Sequence, residues 1–454
     1  MPEPQPRERD YFVVGSFFVF AFWIGLGVYY VTEFIKKAFK KENFVYAGIT
    51  VFALAIPVNM LIQNYHTHDR SLNYAAWDSG YNMLQSCKPD AILFTVGDND
   101  TYPLWYLQQA EGVRRDIRIV NLSLINIDWY ILQQKNDEPF GAKKVPMNLT
   151  NEQVKSLSDN YIVELPPQPV KMPAVPKEKW SEYGIVDSSQ IENLYFTMKP
   201  FTEYQGRQVI RLQDYIIYNI LMANKWERPI YFALSGPSND KIGLDEYLEV
   251  QGMAMEIVPI KRTSSSFTMN LHAMDQNLLA ENVVPSKDYQ HGFIFHNTDN
   301  PKLNIEEQSQ DMIGTYRALY IMTAREHLVF NNPSKTLEYL NMVSKRFPHE
   351  VLPIRFDLLL EMTDLAHQLN DTNLFDHCCN ILLSETEKKL NSNPNDTEML
   401  NYAAWIYEKR SEYDKALEVY NKMLLQFPTD QNLRARIAYI QGLLNSNIND
   451  TITE

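Results

Sequence analysis

Hydrophobic positions along this chain recur with three different periods, and each period predicts its own kind of element. From Tyr11 to Val31 twenty-one residues pass without a charge, the length an α-helix needs to cross about 30 Å of hydrocarbon. A second apolar run, Phe44 to Ile62, is broken at Pro57 and Asn59. Together they predict a transmembrane hairpin over residues 11–65, preceded by a charged, Pro-rich flank at 1–10. The connecting stretch carries Lys36, Lys37, Lys40 and Lys41, and a short basic loop stays cytoplasmic under the positive-inside rule. Both ends then face outward, with everything after about Gln63 in a periplasm or a lumen; Arg7 and Arg9 on the other side partly offset that bias. A signal peptide is the competing reading. The length of the run, its mixed-charge leader and the absence of a small-residue cleavage site count against it.

Beyond the second span, over residues 66–300, the pattern becomes that of an α/β domain. Tyr74, Trp77, Tyr81 and Leu84 fall at helical spacing and lead into a bare apolar run, Ala91 to Val96. That run reads as a buried strand, followed by a Gly/Asp/Asn loop and a helix at 102–112 with Gly112 at its C-cap. A second apolar run, Asp116 to Leu124, completes a strand–helix–strand unit, and a helix is expected from Asn126 or Asp128. Residues 136–206 are rich in proline and weakly periodic, which predicts loops and edge strands laid over the sheet. The rhythm resumes with a helix at about 209–224, a strand at Arg228–Leu234, a short helix at Leu244–Val250 and a strand at Met253–Ile260. Strands alternating with helices predict a small, mostly parallel sheet.

From about Glu306 the strand signals stop. Ala404, Tyr407, Ala416, Tyr420 and Pro428 stand at tetratricopeptide-like spacing, and Ala324, His327, Thr336, Leu340 and Val343 form a second such window. The expected fold is therefore α/β plus all-α: two membrane helices, a mostly parallel α/β domain, and a tetratricopeptide-like helical solenoid over 301–454. Such arrays bind protein segments or brace a neighbouring domain.

Charge and composition narrow the chemistry. A net charge of −14 offers no basic face to phosphates and excludes a nucleic-acid partner. Cys87, Cys378 and Cys379 are too few and too poorly spaced for a disulfide framework. The chain has no Gly-rich phosphate loop, nucleophile elbow, H-E-x-x-H or C-x-x-C sequence. What stands out is Asp98, Asn99, Asp100 and Thr101 after the first strand, with Asp128 and Trp129 after the second. Open α/β sheets place ligands at the carboxyl ends of their strands, so these six are the candidate ligand-binding residues. Asp98 and Asp100 have the D-x-D spacing that can offer two hard oxygens to a divalent metal. The plainer account is that Asp100 or Thr101 caps the following helix. His66, His68 and Asp69 form a second, weaker metal candidate, and N-x-T/S sequons such as those at Asn121, Asn148, Asn370, Asn395 and Asn449 matter only in a eukaryotic secretory setting.

Pro6–Phe12, Gly97–Gln108, Gly112–Asp116, Val120–Leu124 and Asp128–Tyr130 together resemble the C-terminal half of a family of large, largely Bacteroidota membrane proteins. That family is similar to the eukaryotic protein O-mannosyltransferases of the transmembrane-protein-260 type, over residues 5–260 or so. The resemblance implies a type C glycosyltransferase, which moves a sugar from a lipid-phosphate donor to an acceptor outside an inner membrane. Its catalytic acidic residue belongs to an early external loop, and no residue here corresponds to it. The expectation is an accessory piece of a longer multi-span enzyme that handles acceptor or shapes structure, contacts membrane lipid, lipid-linked sugar and protein acceptor through that enzyme, and is inactive alone. The alternative is a membrane-anchored periplasmic scaffold whose helical repeats bind envelope proteins.

Overall fold

The computed structural model describes residues 13–39, 42–159, 161–192, 194–261 and 268–452, so the expected flank at 1–10 and the loop lysines Lys40 and Lys41 lie outside the described residues. The chain divides into two compact units, residues 1–71 and 72–454.

The first unit is a helical hairpin of α1 (Val14–Ala38) and α2 (Glu42–His68). Both helices outrun the apolar stretches that predicted them. Their most apolar 18-residue windows are 0% and 6% buried, with Phe18, Trp23 and Phe52 each more than 60% exposed. Both helices are long and apolar enough to cross a membrane, and they leave that apolar surface open. At the turn, Lys36 pairs with Glu33 at 3.0 Å and Glu42 at 3.8 Å.

In the second unit, α3 (Ala75–Ser86) leads into β1 (Ile92–Thr95), α4 (Gly97–Tyr106), β2 (Arg118–Asn121), α5 (Asp128–Asn136) and α6 (Asn151–Ser158). An excursion of short strands follows: β3 (Ile162–Glu164), β4 (Val170–Lys171), β5 (Tyr195–Phe196), β6 (Thr202–Tyr204) and β7 (Arg207–Arg211). The chain returns through α7 (Leu212–Asn224), β8 (Ile230–Ala233), β9 (Leu248–Val250), β10 (Ala254–Ile257), β11 (Thr268–Met269) and α8 (Leu271–Leu278).

The main sheet has the order β11-β9-β10-β8-β1-β2. β8, β1 and β2 are mutually parallel, and every residue of the three is buried, which is why β1 reads as an unbroken apolar run. The sheet as a whole is mixed, not mostly parallel. β10 runs antiparallel to both β8 and β9, because three residues, Gln251 to Met253, join β9 to β10 and a parallel pair needs a crossover of a dozen or more. Gly252 makes that turn at φ +92°, where a Cβ would stand 2.5 Å from Ser86 Oγ and 2.6 Å from the Phe293 ring. The expected helix at 244–250 is a single 3-10 turn at Asp245–Tyr247 followed by β9. The expected helix from 209 begins instead at Leu212, since Val209 and Ile210 belong to β7 and pair with β3. The proline-rich excursion is built as expected of loops and edge strands, in two small sheets, β3-β7-β6 and β4-β5.

The C-terminal region is helical: α9 (Glu307–Val329), α10 (Pro333–Arg346), α11 (Phe356–Gln368), α12 (Thr372–Ser392), α13 (Thr397–Lys409), α14 (Tyr413–Gln426) and α15 (Gln431–Ile452). Asn332, Asp371 and Asp396 cap α10, α12 and α13 with side-chain oxygens, as short polar residues at helix starts should. Ala404 and Ala416, picked out by their spacing, are fully buried where α13 meets α14; Thr336 on α10 donates to the Ala324 carbonyl of α9 at 3.0 Å. The array is not separated from the sheet. Tyr316 on α9 accepts from Asn82 on α3 at 3.0 Å, and Asp275 on α8 receives both His327 Nε2 at 2.9 Å and Tyr339 Oη at 2.8 Å. One apolar core runs from Tyr81 through the sheet into α9–α12.

Candidate functional site at the carboxyl edge of the sheet

Because β8, β1 and β2 are parallel, their carboxyl ends open on one side, and β1 has a neighbour on either hand. Open α/β sheets place their ligand crevice at the carboxyl ends where the strand order reverses, and that point here falls between β1 and β8. The first turn of α4 stands at that crevice. α4 begins at Gly97, directly off β1, so Asp98, Asn99 and Asp100 are helical residues rather than a loop. The expected cap at Asp100 or Thr101 is therefore corrected: the N-cap is Val96, with no side-chain cap bond.

Asp98 and Asn99 point to solvent. Asp100 is half-buried and accepts from Ser235 Oγ, just past β8, at 2.5 Å. Burial pushes its carboxyl above the ordinary range, while the Ser235 hydrogen bond works in the opposite direction. Thr101 is fully buried. Its hydroxyl donates to the Gly97 carbonyl and takes up Thr95 Oγ1 and Asn121 Nδ2, all at 2.8 Å. One donor and two acceptor sites are then all used, so Thr101 knits β1 to β2 and has nothing left for a ligand. Asn121 in turn accepts from Leu124 N at 2.9 Å, which shapes the turn toward α5.

Asp128 and Trp129 open α5, as expected. Asp128 Oδ1 accepts from the Trp129 N–H at 2.7 Å, the behaviour of a carboxylate in a first helical turn. No hydrogen bond among the described residues joins Asp128 to the Asp98–Asp100 turn. Trp129 is 54% exposed and turns away from the crevice toward a cleft at the β2 edge. Farther along the same edge Arg211 pairs with Asp214 at 2.7 Å and Asp240 at 2.9 Å, and Gln213 donates to Asp240 at 3.2 Å. Among the described residues, no three His, Cys, Asp or Glu side chains converge as metal ligands. The edge thus offers one half-buried, hydroxyl-paired carboxyl and two exposed polar groups. That arrangement can hold a hydrogen-bonding ligand, and its charged groups are otherwise spent on each other.

Sequence reasoning missed Ser235, whose only signal was a Ser-Gly-Pro-Ser-Asn turn after a strand. It also missed Arg114, 1% exposed. Arg114 donates to the Leu84 and Cys87 carbonyls at 2.7 and 2.9 Å and lies against Asp116 at 2.8 Å. It closes the end of α3 onto the sheet.

With this geometry in view, residues 76–166 and 162–278, which run from α3 to the end of α8, match the family model described as TMEM260-associated domain 2. A curated relative, the protein O-mannosyl-transferase tmem260 of Dictyostelium discoideum, is 28% identical over 86 residues. That alignment takes in 19% of this chain and 10% of the relative, so the chain matches about a tenth of that enzyme's length. Through its α/β body, the chain is similar to a TMEM260-like family.

Proposed function

We propose that this chain is the accessory, acceptor-handling part of a membrane glycosyltransferase that draws its sugar from a lipid-phosphate donor. The α/β body stands on the periplasmic side of an inner membrane, and the tetratricopeptide-like helices brace it. One observation carries this reading. The domain matched to a TMEM260-associated family has a carboxyl edge at which Asp100 is tied to Ser235 and Thr101 to Asn121, so that Asp98 alone of that turn offers a free carboxylate. A pair of carboxyl groups poised as acid and base would be held free to face a substrate. The reaction class is that of the Dictyostelium discoideum protein O-mannosyl-transferase to which the chain is similar. The scaffold alternative fits the first helices poorly, since α9 and α10 spend polar side chains on α8 and α3.

The test is to give the purified chain a polyprenyl-phosphate hexose and an unglycosylated acceptor polypeptide. Capture of the polypeptide without sugar transfer is expected. Transfer by the chain itself, abolished by the double substitution Asp98→Ala and Asp100→Ala with the thermal midpoint unchanged, would overturn the accessory role.

A further inference from the structure

Where β2 forms the edge of the main sheet, a cleft of about 690 Å³ lies between the C-terminal end of α4 and α5, within the range of small-molecule sites. Its walls combine two kinds of surface. Trp105 and Trp129 supply flat apolar faces, and Phe140 adds a third, with the Arg115 guanidinium stacked on its ring at 4.1 Å. Gln109, Gln133 and Asp137 supply exposed amide and carboxylate groups, whose side chains have no hydrogen-bond partner among the described residues. The wall carrying Gln109 is a π-helical turn, Leu107–Glu111, ended by Gly112 in the left-handed conformation. A π turn weakens the helix that contains it and is found disproportionately at functional sites.

The electrostatics select the ligand. α4 ends at the cleft, where its carbonyls carry the negative end of the helix dipole, and α5 lies along it from Trp129 in its first turn to Gln133 and Gln134 in its last. The two arginines in the wall keep their charge but have their donors engaged by carbonyls, and Asp137 and Glu138 in the same lining offset them. Arg115 donates to Gln108 O at 2.7 Å and Gln109 O at 3.2 Å. Arg118, 3% exposed, donates to Asp137 O and to Gln134 Oε1, both at 2.8 Å. With Arg115 and Arg118 balanced by Asp137 and Glu138, the lining carries no net charge that would draw in a phosphate or carboxylate. A ligand that suits the site is uncharged, has a flat C–H face to lie on indole and many hydroxyls to share with amide and carboxylate groups. We infer that this cleft is a binding site for a neutral saccharide, one or two pyranose rings of a glycan. The site lies apart from the crevice between β1 and β8, and its occupancy does not depend on whether the chain takes part in sugar transfer.

The test uses the full chain in a detergent without a sugar headgroup, titrated with mannose, glucose and N-acetylglucosamine while tryptophan emission is followed, with glucose 6-phosphate as the charged comparison. A saturable change at millimolar sugar is expected for at least one neutral sugar, with the phosphorylated sugar at least tenfold weaker. Trp129→Ala and Gln133→Ala, both exposed positions, should each weaken binding at least tenfold without moving the thermal midpoint. Trp180→Ala, elsewhere on the body, should leave it unchanged. No saturable response to any neutral sugar, binding that survives both cleft substitutions, or tighter binding of the phosphorylated sugar would each overturn the inference.

Discussion

Asp78 on α3 accepts two hydrogen bonds from His296, one from its backbone N–H at 2.7 Å and one from Nδ1 at 2.5 Å, and so ties the first helix of the α/β body to the segment that enters the helical array. The Asp78 hydrogen bond raises His296 above its ordinary 6.5, and burial raises Asp78 above its ordinary 3.8. In both cases the folded protein holds its proton more tightly than the unfolded chain, so stability falls as pH rises. The His296 contribution is complete below pH 6.5 and is lost as pH climbs through its raised value; the Asp78 contribution begins to fade above 3.8. The thermal midpoint is expected to fall between about pH 6 and pH 8, and His296→Gln should flatten that slope. An unchanged slope in the variant would show that the pair does not titrate in this window.

Arg114 is expected to reject even a conservative change. Its fork reaches the Leu84, Cys87 and Lys88 carbonyls and both oxygens of Asp116, and a lysine ammonium cannot span that set. Arg114→Lys should cost about 2–4 kcal/mol, a buried charge with part of its hydrogen bonding removed. A shift in the urea midpoint at constant slope would measure it.

Thr101 separates a structural from a ligand-binding role within the first turn of α4. Thr101→Val keeps the shape, but leaves Asn121 Nδ2 and Thr95 Oγ1 without their buried acceptor and should cost about 1–3 kcal/mol. Thr101→Ser should recover most of that loss. Asp98→Ala, at an exposed position, should stay within about 0.5 kcal/mol of the parent. Thermal denaturation of the three variants side by side decides the matter.

The thiols are expected to be inert in the native protein. Cys87, Cys378 and Cys379 are all free and buried, and burial pushes Cys378 up to about 12 and Cys379 to about 11. Since the thiolate is the reacting form, iodoacetamide should label none of them at pH 8 in folded protein and all three in urea. Rapid native labelling of any one would mean that its surroundings open.

Much of the architecture is legible in the sequence. The two apolar runs, the buried run at Ala91–Val96, Gly112 as a left-handed stop and the burial of Ala404 and Ala416 all follow from local pattern, because hydrophobic period and turn chemistry act over a few residues. Trp129 stood out by its position after β2, and α5 places it in the cleft at the sheet's edge.

Tertiary structure decided the rest. A hydrophobic run reports that a strand is buried and says nothing of its direction, so the antiparallel placement of β10 emerged only once Gly252 was seen to turn against Ser86 and Phe293. Nor could sequence say that Asp100 is engaged, since its partner Ser235 is 135 residues away. The polar network around Thr101 and the arginine-lined cleft likewise join segments that meet only when β1 and β2 pair. Sequence by itself determined which residues leave water and which begin or end helices; which polar groups are consumed by the fold, and which stay exposed, was decided by the non-local contacts that packing alone creates.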